Sequence, residues 1–311
     1  AFVADNADLL VLREGLKIIE ARLAAVVRVL SAFAGKHRAT ACLAYTHFQT
    51  AQPTTAGKRA CLWIQDLLLD AERLDLALRQ LKFLGAKGAT GTQASFLQLF
   101  GGSHAKVKEL DRRVARKMGF SETFPVTGQT YPRKIDDTAA SALSSIAQSA
   151  SKFSHDMRLL QGLGEMEEPF EAEQVGSSAM PYKRNPMRCE RMTALARFVI
   201  SLQQNTAQTA ATQWLERTLD DSANRRLVIP QMLLAADAVL ILYENVASGL
   251  VVHKEVIAAR LRQEAPFMAT EGILMAASKK GGDRQEFHER LRKHAMAARE
   301  RIRRGGPSDL L

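Results

Sequence analysis

Apolar residues recur every three or four positions through most of this 311-residue chain, the spacing of helix faces turned toward a core. Leu9, Leu12, Leu16, Ile19, Leu23, Val26 and Leu30 predict a first long helix, capped by Asp5 or Asn6 and ending near Gly35. Residues 37–52 read as a polar connection holding Tyr45-Thr46-His47-Phe48-Gln49. Pro53, at an N1-like position, opens a second long helix through Trp63, Leu67, Leu74 and Leu81 to Gly85. A shorter helix follows over 104–118, then a polar turn from Val126 to Tyr131 that carries Gln129. A third long helix is predicted over 133–162, with others over 188–203 and 220–248 and shorter ones to the end. The period-two alternation of strands is hardly visible. The predicted class is all-α, a long-helix bundle.

The third long helix is rich in small residues on several faces, among them Ala139, Ala140, Ser141, Ala142, Ser144, Ser145 and Ala147. Small side chains let neighbouring helices approach closely, although helix propensity alone also favours alanine. Helices of about 30 residues run some 45 Å at 1.5 Å per residue. A bundle so long and apolar is a natural oligomer core.

One stretch breaks the pattern. Gln174 to Arg191 reads Q-V-G-S-S-A-M-P-Y-K-R-N-P-M-R-C-E-R, and Pro181 and Pro186 keep regular helix out of its middle. Lys183, Arg184, Asn185, Arg188 and Arg191, with the Ser177 and Ser178 hydroxyls and loop N–H groups, form a donor set suited to an anion. A solvated linker with scattered charges is the bland alternative. The glycine-rich run Gly85 to Gly91 matches neither a dinucleotide fingerprint nor a P-loop.

Composition narrows the picture further. Hydrophobic residues make up 46% and charged residues 24%, as in ordinary soluble domains. No apolar run approaches the roughly 18 residues of a membrane span, so no membrane association is expected. Cys42, Cys61 and Cys189 are odd in number and widely spaced, which suits reduced thiols in a cytoplasmic setting rather than a disulfide framework. The net charge of +10 is uneven, with ten Lys/Arg against four acidic residues from Lys279 to Arg304. Phe287 is the one Phe, Tyr or Trp in that segment for bases to stack on, and the charges alternate as on a solvated or subunit-facing helix. Nucleic acid is therefore not the expected partner. No H-x-x-H, HExxH or spaced Cys/His set suggests a metal.

Four polar connections fall at the ends of long helices, around His47, Gln129, Ser177 to Arg191, and Arg217 to Arg226. Such connections are where rigid scaffolds gather catalytic groups. His47 alone reads equally well as structural or catalytic. Arg217, Arg225 and Arg226 read either as anion binders or as salt-bridge partners of Glu216, Asp220 and Asp221. The chemistry left open is acid–base work on a polyanionic substrate.

G-S-S-A-M-P-Y-K-R-N-P, Gly176 to Pro186, resembles the signature loop of the fumarase/aspartase superfamily of lyases. Its Tyr-Lys-Arg-Asn-Pro form, with E-M-E-E-P-F before it and E-R-T-L-D-D-S-A-N-R-R after it, resembles the adenylosuccinate-cleaving branch. T-H-F-Q from Thr46, K-G-A-T-G-T-Q-A-S-F from Lys87 and T-G-Q-T-Y from Thr127 fit the same branch in the same order. Thr50 departs from it, standing where proline is usual. The resemblance implies a central bundle domain over 1–250 and the start of a C-terminal helical domain over 251–311. It also implies an N-terminal domain before Ala1 and further helices beyond Leu311.

The resemblance implies roles residue by residue. Ser177 matches the general base, His47 the general acid, and Glu190 the carboxylate that orients the histidine. Lys183 and Asn185 match groups holding the substrate carboxylate, and Lys183 also matches a cation that activates the serine. Thr46, Gln129, Arg191, Arg217, Ser222 and Arg226 match further substrate contacts. The implied reaction is β-elimination of fumarate from adenylosuccinate to give AMP, and from the succinyl-carboxamide intermediate of purine synthesis. No cofactor is implied. The implied assembly is a homotetramer whose active sites draw on several subunits. With the bundle helices present but the implied N-terminal domain supplying another histidine and further substrate contacts, these 311 residues alone are expected to self-associate with little activity. Alternatives are another fumarate-releasing lyase, of the argininosuccinate type, or a catalytically silent structural relative.

Overall fold

The structure, a computed structural model, describes residues 2–171, 173–174, 179–307 and 310. Five long helices form the body: α1 (Phe2–Lys36), α2 (Ala56–Gln80), α5 (Lys134–Gly162), α6 (Met187–Ala211) and α7 (Asp220–Ser248). Between α2 and α5 lie α3 (Ala94–Leu99) and α4 (His104–Lys117). α8 (Lys254–Lys279) and α9 (Arg284–Arg303) close the chain.

The cross-links fix the helix directions. Arg225 of α7 meets Asp8 of α1 at 3.2 Å, and Arg22 meets Asp237 at 3.0 Å, so α1 and α7 run parallel. Trp63 and Asp70 of α2 reach Asp156 and Ser145 of α5, so α2 runs antiparallel to α5. At α5's first turn Asp137 accepts from Thr206 near the end of α6, while Gln161 near its last turn donates to Arg184 just before α6. α6 is therefore antiparallel to α5 as well. Every predicted apolar position of α1 is buried, from Leu9 to Leu30. The small residues Ala139, Ala140, Ala142, Ser144, Ala147 and Ala150 put α5 at the centre, against α2, α6 and α7. A ladder of rings crosses the core, with Trp63 edge-on to Phe153 at 5.0 Å and Phe153 stacked on Tyr243 at 4.2 Å.

Three local readings need correction. Residues 41–55 form a β-hairpin, β1 (Ala41–Thr46) and β2 (Gln49–Thr55), not a plain connection. Pro53 lies inside β2 opposite Leu43, which a two-stranded ribbon tolerates because both strands are edges. α2 starts instead at Ala56, where the Thr55 hydroxyl accepts from Lys58 N–H at 3.0 Å. Asp5 and Asn6 do not cap α1, which already runs from Phe2. Both are buried, and Asn6 holds the strand-like segment after α2 by bonding the Leu84 and Gly85 backbone. A second, short ribbon pairs β3 (Met166–Glu167) with β4 (Val251–Val252).

α7 is long and apolar enough to cross a membrane by length and composition alone, which the run-length reading missed. Its buried stripe, including Val228, Met232, Val239 and Tyr243, belongs to the main hydrophobic cluster. Cys42, Cys61 and Cys189 are free thiols, the first and last buried.

Candidate active site

His47 occupies the tip of the β1–β2 hairpin. Thr46 pairs with Gln49, leaving His47 and Phe48 as the two turn residues, with φ of 53° and 56°. Positive φ at both positions is the type I′ hairpin turn, which matches strand twist and is usually met by Asn-Gly. For side chains with a Cβ this conformation costs roughly 1–2 kcal/mol per residue. The next rung, Tyr45 opposite Thr50, is pinned on both strands. Tyr45 Oη donates to Glu165 at 2.6 Å, and Arg260 Nε lies 2.9 Å from the same carboxylate oxygen. Thr50 Oγ1 donates to Glu264 at 2.9 Å, and Arg299 grips that carboxylate with both Nη atoms at 3.2 and 2.5 Å. Burial, with the Glu165 hydrogen bond, pushes the Tyr45 phenol up to about 12, so it remains a donor at neutral pH. His47 itself is exposed and carries no side-chain hydrogen bond among the described residues.

The start of α6 faces the same end of the bundle. Buried Glu168 accepts from the N–H groups of Arg188 and Cys189 at 3.0 and 2.9 Å, satisfying the first turn in place of a side-chain cap at Pro186. This fixes the helix that presents Glu190 and Arg191, both exposed. Lys183 is exposed in the turn before it, Asn185 is half-buried, and Arg184 pairs with Glu167 at 3.3 Å. Arg188 bonds Asn245 at 2.8 Å and Glu171 at 3.0 Å, so it ties α6 to the end of α7. Ser177, assigned as the base from its motif, lies outside the described residues, as does its neighbour Ser178.

Gln129, Arg217, Ser222 and Arg226 gather at the opposite end. Gln129 N–H donates to Glu216 O at 2.9 Å, and its side chain donates to Ala89 O at 2.9 Å. Here glycine is required: a Cβ on Gly91, at φ 80°, would sit 2.0 Å from Thr127 O, and one on Gly128 2.5 Å from Glu216 O. Arg217 Nη1 reaches Asp221 at 3.4 Å, and Arg226 bonds its neighbour Ser222. Beneath them Arg133 joins Asp5 and Asp221 at 3.1 and 2.6 Å, and Arg225 joins Asp136 at 2.6 Å and Tyr131. Burial and the Asp136 charge raise the Tyr131 phenol well above its ordinary value, keeping it neutral between two guanidinium groups.

One chain thus brings Thr46, His47, Lys183, Asn185, Glu190 and Arg191 to one end and Gln129, Arg217, Ser222 and Arg226 to the other. The 25 residues of α6 alone separate them by about 37 Å. Among the described residues no three His, Cys, Asp or Glu side chains converge as metal ligands do. Sequence reasoning missed the pins under the hairpin. Glu165 lay inside a quoted motif, but Arg260, Glu264 and Arg299 carry no local signal, because their partners lie 35 to 215 residues away.

Residues 4–201 match the family model described as Lyase. The chain belongs to the lyase family. It is 51% identical over 307 residues to the adenylosuccinate lyase of Schistosoma mansoni, spanning 98% of this chain and 64% of that protein. It is 52% identical over 311 residues to that of Saccharomyces cerevisiae, again 64% of the relative's length. The Archaeoglobus fulgidus adenylosuccinate lyase is 34% identical over 300 residues. Among solved structures, a fumarate lyase from Mesorhizobium sp. BNC1 superposes with a TM-score of 0.81 at 24% identity, covering 98% of this chain and 66% of that one. At that identity the likeness speaks for the fold, and it agrees with the all-α bundle of this lyase superfamily.

Proposed function

We propose that the whole protein is an adenylosuccinate lyase. It eliminates fumarate from adenylosuccinate to leave AMP, and from the succinyl-carboxamide intermediate of purine synthesis by the same chemistry. The observation that carries this reading is the 51–52% identity to two enzymes of that name across 98–100% of this chain. Ser177 takes the proton from the carbon beside a succinyl carboxylate, and Lys183 and Asn185 hold that carboxylate as negative charge grows on it. The carbon–nitrogen bond breaks as the double bond of fumarate forms, and His47, oriented by Glu190, gives its proton to the departing nitrogen. Thr46, Gln129, Arg191, Arg217, Ser222 and Arg226 hold the remaining substrate groups, the guanidinium forks suiting carboxylate and phosphate.

The split of these residues between two bundle ends supports a site assembled from several copies, a homotetramer. Exposed apolar stripes support it too. Leu62, Leu69 and Leu76 on α2 are 46–49% exposed, and Leu227, Leu234 and Ile241 on α7 are 43–71% exposed. Both stripes repeat every seven residues, the spacing of a helix–helix seam. We read 1–250 as the central bundle and 251–311 as the start of the last domain. The free thiols support a cytoplasmic setting. The test is fumarate release by the purified whole protein, with light scattering for its mass. Ser177→Ala should lower kcat at least about a hundredfold while substrate still binds. Failure of the unaltered protein to release fumarate from adenylosuccinate overturns the reading.

A further inference from the structure

The hairpin that carries His47 rests on one face of α8. Arg260, Glu264 and Glu271 lie at i, i+4 and i+11 along that helix, on one stripe. They meet three residues on one face of the hairpin. Arg260 reaches Tyr45 Oη at 3.5 Å as well as Glu165, Glu264 accepts from Thr50, and Glu271 accepts from Gln52 Nε2 at 2.5 Å. Phe267, on the same stripe, lies 3.8 Å under the Arg299 guanidinium that backs Glu264 from α9. Two of the three pinned residues form the Tyr45–Thr50 rung, one pair below the Thr46–Gln49 pair that closes the turn. The turn itself holds two consecutive side-chain-bearing residues at positive φ, a conformation that persists only where its surroundings impose it.

We propose that α8 is a splint for the general acid: Glu264 through Thr50, and Glu165 with Arg260 through Tyr45, hold the hairpin rung that aims His47 at the departing nitrogen. These are positioning residues. None touches the reacting atoms, and the assignment rests on the reading of His47 as the acid. Thr50, the departure from the branch pattern, supplies one of the two hydroxyls through which the splint acts. A turn held at both strands loses little entropy when its histidine reaches the near-attack position, so loosening it costs turnover rather than affinity.

The experiment uses the whole protein assembled as purified, with adenylosuccinate as substrate. Thr50→Val and Glu264→Gln should each lower kcat about tenfold with KM within about twofold, whereas Gln52→Ala, one pin farther from the turn, should change kcat less than about threefold. Thr50→Ser, which keeps the hydroxyl, should restore kcat. Tm and the mass by light scattering report whether each variant is still folded and assembled, and Thr50→Ser serves as the readout if Thr50→Val fails to fold. The proposal is overturned by near-normal kcat in Thr50→Val and Glu264→Gln, by equal losses in Gln52→Ala, or by Thr50→Ser as impaired as Thr50→Val. His47→Gln separates the two levels. If it retains full kcat, the reading of the acid itself has failed; if it is inactive while the splint variants are normal, only the splint has.

Discussion

The two ends of the bundle handle charge in opposite ways. At the end formed by the starts of α1, α5 and α7, Arg133 and Arg225 are buried and each is shared between aspartates, with Tyr131 between them. At the other end His47, Lys183, Glu190 and Arg191 stand exposed on a hairpin tip and a helix start that are themselves firmly held. Buried charges must be paired, since an uncompensated ion in low dielectric costs several kcal/mol. Exposed charges on a rigid mount cost little and remain free to meet a ligand. The buried network of the first end holds helices together, while the second end keeps its charged groups at the surface.

The comparison breaks most visibly at the buried end. Arg133→Ala leaves Asp5 and Asp221 sharing less positive charge in a dry site, so unfolding free energy should fall by about 3–5 kcal/mol. A denaturant midpoint unchanged from the wild type would show that the network carries no such burden.

His47→Gln should do the reverse, lowering kcat at least about a hundredfold while Tm stays within about a degree, since the exposed ring packs against little. A large loss of Tm with modest loss of turnover would move His47 to the structural class.

Arg226 sharpens the comparison because it sits above the buried network yet is exposed. Arg226→Ala should weaken AMP binding by about 1.5–3 kcal/mol, read by calorimetry, with little change in stability. Fumarate inhibition should move less, and equal loss of both ligands would assign Arg226 to the succinyl end.

The smallest effect concerns acid. Burial alone would raise the Glu264 carboxyl, but the Arg299 and Thr50 hydrogen bonds hold it below the ordinary value. A depressed carboxylate contributes stability that is present above its unfolded pKa, about 4.3, and is lost as pH falls through the lower folded value. Amide protection factors in β1 and β2, which allow for the intrinsic slowing of exchange in acid, should therefore fall on acidification below about pH 4 before those in α5 do. Simultaneous loss in both would mean that the hairpin has no separate acid-labile hold.

Much of this was legible in the residues. The apolar spacing of α1 and the Ala/Ser run of α5 carry the bundle, because a helix must bury its stripe and small side chains admit close neighbours. The motif around Gly176 to Pro186 carried the family. The hairpin was not legible, since A-C-L-A-Y-T and Q-T-A-Q-P-T-T lack strong alternation and its turn uses His-Phe where glycine or asparagine would have announced it. Nor did sequence show that Arg133 and Arg225 would be buried while Arg226 stays exposed; that choice depends on which face of α7 meets α1 and α5.

By itself, then, the sequence determined the helices, their apolar faces and the chemical identity of the candidate groups, all of which follow from local spacing and side-chain type. Only the tertiary structure decided which charges are paired and which are free, and that His47 and Gln129 lie at opposite ends. It also decided that α8 braces a turn more than 200 residues away in sequence. Burial and hydrogen-bond partnership are properties of residues brought together by packing, and no local stretch of chain encodes them.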